Sequence, residues 1–195
     1  MKQFYDFKVE KIKDLSPEDK NLREENLDLF YKNGFPNKKE EDWKFTDLNS
    51  ILSKNFDNIT NKDFLLDSKK LNLINEIEHN HIYLLDGKLI SSDFTYEDRN
   101  KISTIDFNYK NNVTINKNNS LNLLNNALAM GGFTLEVSKN YKFNKPLIIY
   151  NYFSSNLKET IINNKNSIIL NDNSELTLIN YIDNKSKDNF MVNSM

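Results

Sequence analysis

Two histidines, His79 and His81, stand one residue apart in "HNH". Alternate positions on a strand face the same side, so the pair could chelate a metal ion through its ring nitrogens. No third ligand is marked near them, and two partly exposed histidines at the start of a strand is the simpler reading. Three acids, Glu40, Glu41 and Asp42, sit in a row flanked by lysines. Such a run forms a solvated face, whereas glycosidic chemistry needs two carboxyl groups facing each other across a cleft. Gly131-Gly132 follows a helical pattern rather than a strand. It reads as a helix stop and not as a phosphate-cradling loop. The chain has no cysteine, which removes disulfides, thiolate metal sites and a cysteine nucleophile. No nucleophile–base constellation stands out. On residue chemistry alone the chain is expected to be a non-enzyme, or to lack the catalytic part, with no catalytic, cofactor-binding or metal-binding residue to name.

The elements that would carry these residues are set by composition and pattern. With 195 residues, the chain makes one domain, or a domain plus part of another. A net charge of −2 argues against a dedicated nucleic-acid binder, which would be clearly basic. Asparagine and lysine are abundant, and arginine occurs only at positions 23 and 99. The start, "MKQFYDFKVEKIKDL", lacks the apolar core of a signal peptide, and no apolar stretch is long enough to span a membrane. A cytoplasmic location is expected.

Ser16, Pro17, Glu18 and Asp19 have the chemistry of a helix start, and Gly34 that of a stop. The helix between them should lay Leu22, Leu29 and Phe30 on one side. Thr46 is a candidate cap for a second, short helix. The stretch from Asn58 to Glu78 is polar, with one or two short helices expected to pack Leu65, Leu66, Leu71 and Ile74. In "HIYLLDGKLI", two apolar runs flank Asp86-Gly87, a pair suited to a type I′ hairpin. "SLNLLNNALAM" reads as a helix ending at Gly131-Gly132. From Gly132 onward the period changes to two: "FTLEV" places Phe133, Leu135 and Val137 on one face, and "PLIIYNY", "SIIL" and "ELTLINYI" follow. "NNKN" and "NDNS" read as the turns between them. Short strands without long helices suit a sandwich, a barrel or a solenoid, and periodicity alone does not choose.

One segment is specific. In "GFPNKKEEDWKFTDL", the residues Gly34, Phe35, Pro36, Lys38, Lys39, Glu41, Asp42, Trp43, Lys44, Phe45, Thr46 and Leu48 closely resemble an N-terminal signature of the SufB/SufD family of iron–sulfur cluster assembly proteins. The "EDWKFT" form favours its SufD branch. "HIYLLDGKLISSDF" and "SLNLLNNALAMGGFTLEVSKNYKFNKPLIIYNYF" are similar to later family passages, so the resemblance runs from about Leu15 onward.

The resemblance implies an N-terminal helical region, residues 1–80, leading into the first rungs of a right-handed parallel β-helix, residues 81–195, interrupted by a helix near 119–130. It implies a non-catalytic scaffold, working with a SufB-like subunit and a SufC-type ABC ATPase, on which iron–sulfur clusters are built. No cluster or other cofactor is expected on this chain. Family members are about twice as long, so the chain is expected to be an N-terminal piece lacking the ATPase-docking region, with its last strands left uncovered. The runner-up is a polysaccharide-acting or sugar-binding β-helix protein, for which Glu136 and Glu175 are the only obvious strand acids. Trp43, the single tryptophan, has two readings. It could pin the charged crossing segment to the core together with Phe45, with Lys44 pointing outward. It could instead be the centre of a contact with a partner protein.

Overall fold

A computed structural model describes residues 4–62, 73–107 and 119–195. These residues form three α-helices and two β-sheets, so the protein is α plus β. Among the described residues no helix is long and apolar enough to cross a membrane.

Helix α1 spans Pro17–Asn33 and starts as its residues dictate. The Asp19 N–H donates to Ser16 Oγ at 3.2 Å, and Pro17 occupies the first turn, where a missing N–H costs nothing. Gly34 stops it with φ +71° and its N–H on the Phe30 carbonyl at 2.7 Å. The buried side differs from the expected stripe: Arg23, Asn26, Leu27 and Phe30 are buried, while Leu22 and Leu29 are only half-buried. The reason is the neighbour. Helix α3, Ser120–Leu128, lies along α1, and the Arg23 guanidinium donates to the Ala127 carbonyl at 3.0 Å. Helix α2 spans Leu48–Asn55, and its cap is Asp47, which accepts from the Ser50 N–H at 2.9 Å, not Thr46.

Strands β1 (Tyr5–Asp6) and β2 (Ile59–Asn61) pair in parallel. β2 lies at the start of the stretch where one or two short helices are expected, and Leu65, Leu66 and Leu71, which those helices should pack, lie outside the described residues. Strands β3 (Asn80–Leu85) and β4 (Lys88–Asp93) form the expected hairpin, with Asp86 at φ +49° and Gly87 at φ +82°, both central residues left-handed as a type I′ turn requires. Strand β5, Ile102–Asp106, lies in a stretch whose polarity hides it.

The later strands are β6 (Gly131–Val137), β7 (Leu147–Phe153), β8 (Thr160–Leu170), β9 (Leu178–Asn184) and β10 (Phe190–Ser194). They alternate between the two sheets. β6, β8 and β10 join β1, β2 and β5 in one sheet; β7 and β9 join β3 and β4 in the other. Pairing among β6, β8 and β10, and among β3, β7 and β9, is parallel. Side chains bond from one strand to its counterpart about a turn later. Asn173 bonds Asn140, 33 residues away, at 3.0 Å. Asn151 bonds Asn180, 29 residues away, at 2.6 Å. Asn193 bonds Asn163, 30 residues away, at 2.8 Å.

Three expectations are corrected here. "NNKN", residues 163–166, is the middle of β8, with Asn163, Asn164 and Lys165 buried, because parallel neighbours on both sides pair its backbone and α3 bonds the Asn164 carbonyl and the Lys165 ammonium, although among the described residues Asn163 Nδ2 and Asn164 Oδ1 are buried without a partner. "NDNS" is a turn, with Asn173 at φ +56°. Gly131-Gly132 do not stop α3, which ends at Leu128 with the Ala129 N–H on the Asn125 carbonyl at 2.8 Å. They open β6 where backbones nearly touch: a Cβ on Gly132 would lie 1.7 Å from the Lys165 carbonyl oxygen, and one on Gly131 2.4 Å from that of Gly87. The tail from Asp183, expected to supply no covering element, contributes β10, which pairs with β8.

Two large cores result. One gathers Phe4, Phe7, Phe30, Phe35, Ile59 and Leu124 beneath the helices. The other, between the sheets, holds Phe133, Leu135 and Val137 as their alternation requires, with Ile82, Leu147 and Ile149 opposite. The outer face of the second sheet carries a further cluster of Tyr83, Tyr150, Tyr152 and Ile148.

Candidate interaction surface

The "GFPNKKEEDWKFTDL" segment divides into an anchor and an exposed knuckle. Gly34 turns the chain out of α1, which drops Phe35 into the aromatic core at 2% exposure. Its ring meets Phe30 edge-on at 5.1 Å and Tyr5 at 5.3 Å, and lies parallel to Phe4 at 6.1 Å. Pro36 is buried beside it, and the Phe35 carbonyl accepts from the Asn49 side chain of α2 at 3.2 Å.

A tight loop follows. Glu40 Oε1 accepts from the Asn37 N–H at 3.0 Å, and Asn37 Oδ1 accepts from the Lys39 N–H at 3.0 Å. Glu41–Trp43 form one short helical turn, closed by the Thr46 N–H donating to the Trp43 carbonyl at 2.8 Å. Glu41, Asp42, Lys44, Phe45 and Thr46 are exposed, and Trp43 is half-buried. Lys44 pairs with Glu41 at 3.3 Å and holds its ammonium 5.2 Å from the centre of the Phe45 ring.

Phe45 is 89% exposed, so it does not pin the segment to the core. Trp43 belongs to none of the buried clusters. The packing role falls to Phe35 and Pro36. The exposed row continues onto α2 through Ile51, at 47% exposure. Such a knuckle offers cation, carboxylate and aromatic face within one turn of chain, the kinds of group that contacts between proteins use.

The histidines are placed together, and both ring nitrogens of His79 are already bonded. His79 Nδ1 lies 2.8 Å from the Ile77 carbonyl, which can only accept, so Nδ1 carries the proton. Nε2 then accepts from the Tyr150 hydroxyl at 2.9 Å, whose oxygen accepts from the Ile74 N–H at 3.0 Å. His81 sits next along β3, its ring 6.4 Å from that of His79. Burial pushes its pKa down; Asp93 opposes that shift and His79 adds to it. Among the described residues no group of three or more His, Cys, Asp or Glu could hold a metal ion.

Glu136 of β6 and Glu175, ahead of β9, each bond to a residue in a neighbouring turn of the stack. Glu136 accepts from the Asn171 side chain at 3.0 Å, and Glu175 pairs with Lys142. Among the described residues the most connected carboxylate is one the sequence did not mark. Glu97, 9% exposed, accepts from Asn80 at 2.7 Å, from the Tyr141 hydroxyl at 2.8 Å, and from the N–H groups of Asn144 and Lys145 at 3.0 and 3.1 Å. It ties the loop after β4 to the turn before β7. Nothing in "YEDRN" distinguishes it from a surface acid.

Fold and surface therefore define an α plus β protein with strands stacked in two sheets, presenting an anchored aromatic knuckle ahead of the stack. Residues 1–95 match the family model described as the SufBD protein N-terminal region. That match holds the whole knuckle and supports the SufB/SufD family, whose work is iron–sulfur cluster assembly. No curated protein matches the chain.

Proposed function

We propose that the chain is a SufD-like scaffold component of the SUF system, contributing binding surfaces and no bond-making residues. The family match over residues 1–95, with the "EDWKFT" knuckle inside it, is the observation that carries this reading. The knuckle is anchored by buried Phe35 while Phe45 stands almost fully exposed, a cost in hydration that a contact would recover. The alternation of β6 to β10 between two sheets, with parallel pairing and asparagine-to-asparagine bonds between turns, supports reading the strands as rungs of a right-handed parallel β-helix.

The partners of this reading are a SufB-like subunit and a SufC-type ATPase, and the cluster is cargo of their complex in the cytoplasm. The test is co-expression of the chain with each partner, followed by affinity capture and sedimentation. Stoichiometric capture of the SufB-like subunit, weakened about tenfold or more by Phe45→Ala, is expected. No capture of either partner by the folded chain would overturn the scaffold reading. Anaerobic reconstitution of the chain alone should leave no stoichiometric iron after desalting, since it has no thiolate to offer.

A further inference from the structure

Helix α1 ends on the only Asn-Gly pair in the sequence, Asn33-Gly34. In such a pair the backbone nitrogen of the second residue can attack the side-chain amide carbon of the first, because glycine has no Cβ to shield it. The structure leaves that approach open. Asn33 is exposed, and among the described residues its side-chain amide makes no hydrogen bond. Beyond the chain neighbours, nothing lies within 4 Å of the place a Gly34 Cβ would take. Asn55 also ends a helix, α2, but its amide donates back to the Ile51 carbonyl at 2.7 Å, and Phe56 follows it. The Asp86-Gly87 pair is closed as well. Its carboxylate accepts from the Ser154 N–H at 2.8 Å, and a Cβ on Gly87 would lie 2.9 Å from the Ile162 side chain.

We propose that Asn33-Gly34 is a spontaneous deamidation site whose products loosen the seat of Phe35. The Gly34 nitrogen forms a bond to Asn33 Cγ, the Cγ–Nδ2 bond breaks, and ammonia leaves carrying the proton that Gly34 gave up. The five-membered imide then takes up one water. Opening at the side-chain carbonyl leaves aspartate at position 33. Opening at the main-chain carbonyl leaves isoaspartate, whose backbone runs through Cγ. One backbone bond holds the reaction back. The Gly34 N–H donates to the Phe30 carbonyl at 2.7 Å, so its nitrogen is free only when the last turn of α1 frays. A single bond at an exposed helix end slows the attack by about tenfold.

Both products act on the same joint. A carboxylate at position 33 stands beside the last carbonyls of α1, the negative end of the helix, and disfavours its final turn. Isoaspartate also adds a methylene to the main chain just where Gly34, at φ +71°, turns Phe35 into the aromatic core. Phe30 holds both sides of that turn, its carbonyl on the Gly34 N–H and its ring 5.1 Å from that of Phe35. With one more atom between them, the two contacts cannot both keep their geometry, and the helix end gives way before the buried ring does.

The site stands on the end of α1 and not on the scaffold reading, and its test uses the intact chain. The chain is incubated near neutral pH beside a short unstructured peptide of residues 29–38, and peptide mapping by mass spectrometry follows the conversion of amide to acid. Asn33 should convert ahead of every other asparagine, at about a tenth of the peptide's rate, and Asn33→Gln should not convert at that position over the same time. The converted chain, separated by its extra negative charge, should exchange the Gly34 amide about tenfold faster than the unconverted one. Asn33→Asp, which has the charge without the added methylene, should fall between the two. Amides of β7 report that each form stays folded. Conversion at Asn33 no faster than at the other asparagines, or a converted chain whose Gly34 amide is as protected as before, would overturn the proposal.

Discussion

Replacing Gly132 by alanine should be among the most damaging single changes in this chain, although the change adds only one methyl group. Two costs add. The backbone there has φ +124°, a conformation that side-chain-bearing residues rarely adopt, worth about 1–3 kcal/mol. The new Cβ would also lie 1.7 Å from the Lys165 oxygen, 2.5 Å from its carbon and 2.8 Å from its nitrogen. These are backbone atoms of β8, so no side-chain rotation relieves them. β6 must lift away where Gly131, Gly132 and Phe133 pair with Asn164, Lys165 and Asn166. Losing two or three ladder bonds adds roughly 2–3 kcal/mol. The total, about 3–6 kcal/mol, is a large share of the stability of an ordinary domain. Gly34→Ala is the control, because φ is +71° but nothing lies within 4 Å of its Cβ, leaving only backbone strain of about 1–2 kcal/mol. Urea unfolding followed by circular dichroism compares the two. Equal midpoints for the two variants would refute the argument from close backbone approach.

Lys165 gives a pH-dependence with a definite sign. Burial, helped by the nearby Arg23 charge, lowers its pKa from 10.5 to about 8, so between those values the unfolded state holds a proton that the folded state has lost. Stability should therefore rise with pH from about 8 until tyrosine ionisation reverses it, since burial raises Tyr152 from 10.0 to about 12. Lys165→Met should flatten the rise in denaturant midpoint measured between pH 8 and 10. On the knuckle, Phe45→Ala should leave the melting temperature within a degree or so, because the ring is almost wholly exposed. Trp43→Ala should cost about 1–2 kcal/mol, short of a core tryptophan; intrinsic fluorescence at the wavelength of fully buried indole would contradict the half-buried placement.

Legibility followed local chemistry. Ser16, Pro17 and Gly34 set the ends of α1 by bonds made within a few residues, and Asp86-Gly87 set a hairpin by backbone preference alone, so both could be read directly. The alternation at Phe133, Leu135 and Val137 was legible for the same reason. What failed depends on distant chain. "NNKN" has turn composition, yet it is held as strand by pairing with β6 and β10 and by bonds to Asn125 and Asn126, which no local rule anticipates. Gly131-Gly132 looked like a helix stop because the strand that crowds them begins at residue 160. The signature was visible as a motif, but its division into buried Phe35 and exposed Phe45 was not. Both are phenylalanines beside lysine or proline, and only the aromatic core built by Phe4, Tyr5 and Phe30 tells them apart.

The outer strand of the second sheet leads to a last prediction. Among the described residues β9 pairs only with β7, so its other edge offers unpaired backbone groups. Its apolar side chains are also open: Leu178 is 46% exposed, Ile179 38% and Ile182 62%, whereas Leu147 to Tyr150 on β7 are buried. An edge of this kind is a template for another strand, and lysine or proline is the usual protection against it. The drive is modest. Covering three half-exposed aliphatic side chains on each of two copies gains roughly 6–8 kcal/mol, and the cost of association, about 4–15 kcal/mol, leaves a net of about 4 kcal/mol at most. Self-association should therefore be weak, with dissociation near the millimolar range. Sedimentation should show monomer at about 10 μM and partial dimer near 1 mM. Ile182→Lys should abolish the dimer without loss of stability, while Ile149→Lys, at a buried position of the neighbouring strand, should unfold the chain. Hydrogen exchange should be faster over Leu178–Asn184 than over Leu147–Phe153. Equal protection of the two strands in a protein that stays monomeric at the higher concentration would show that the β9 edge is covered, and the argument from its exposure would fail.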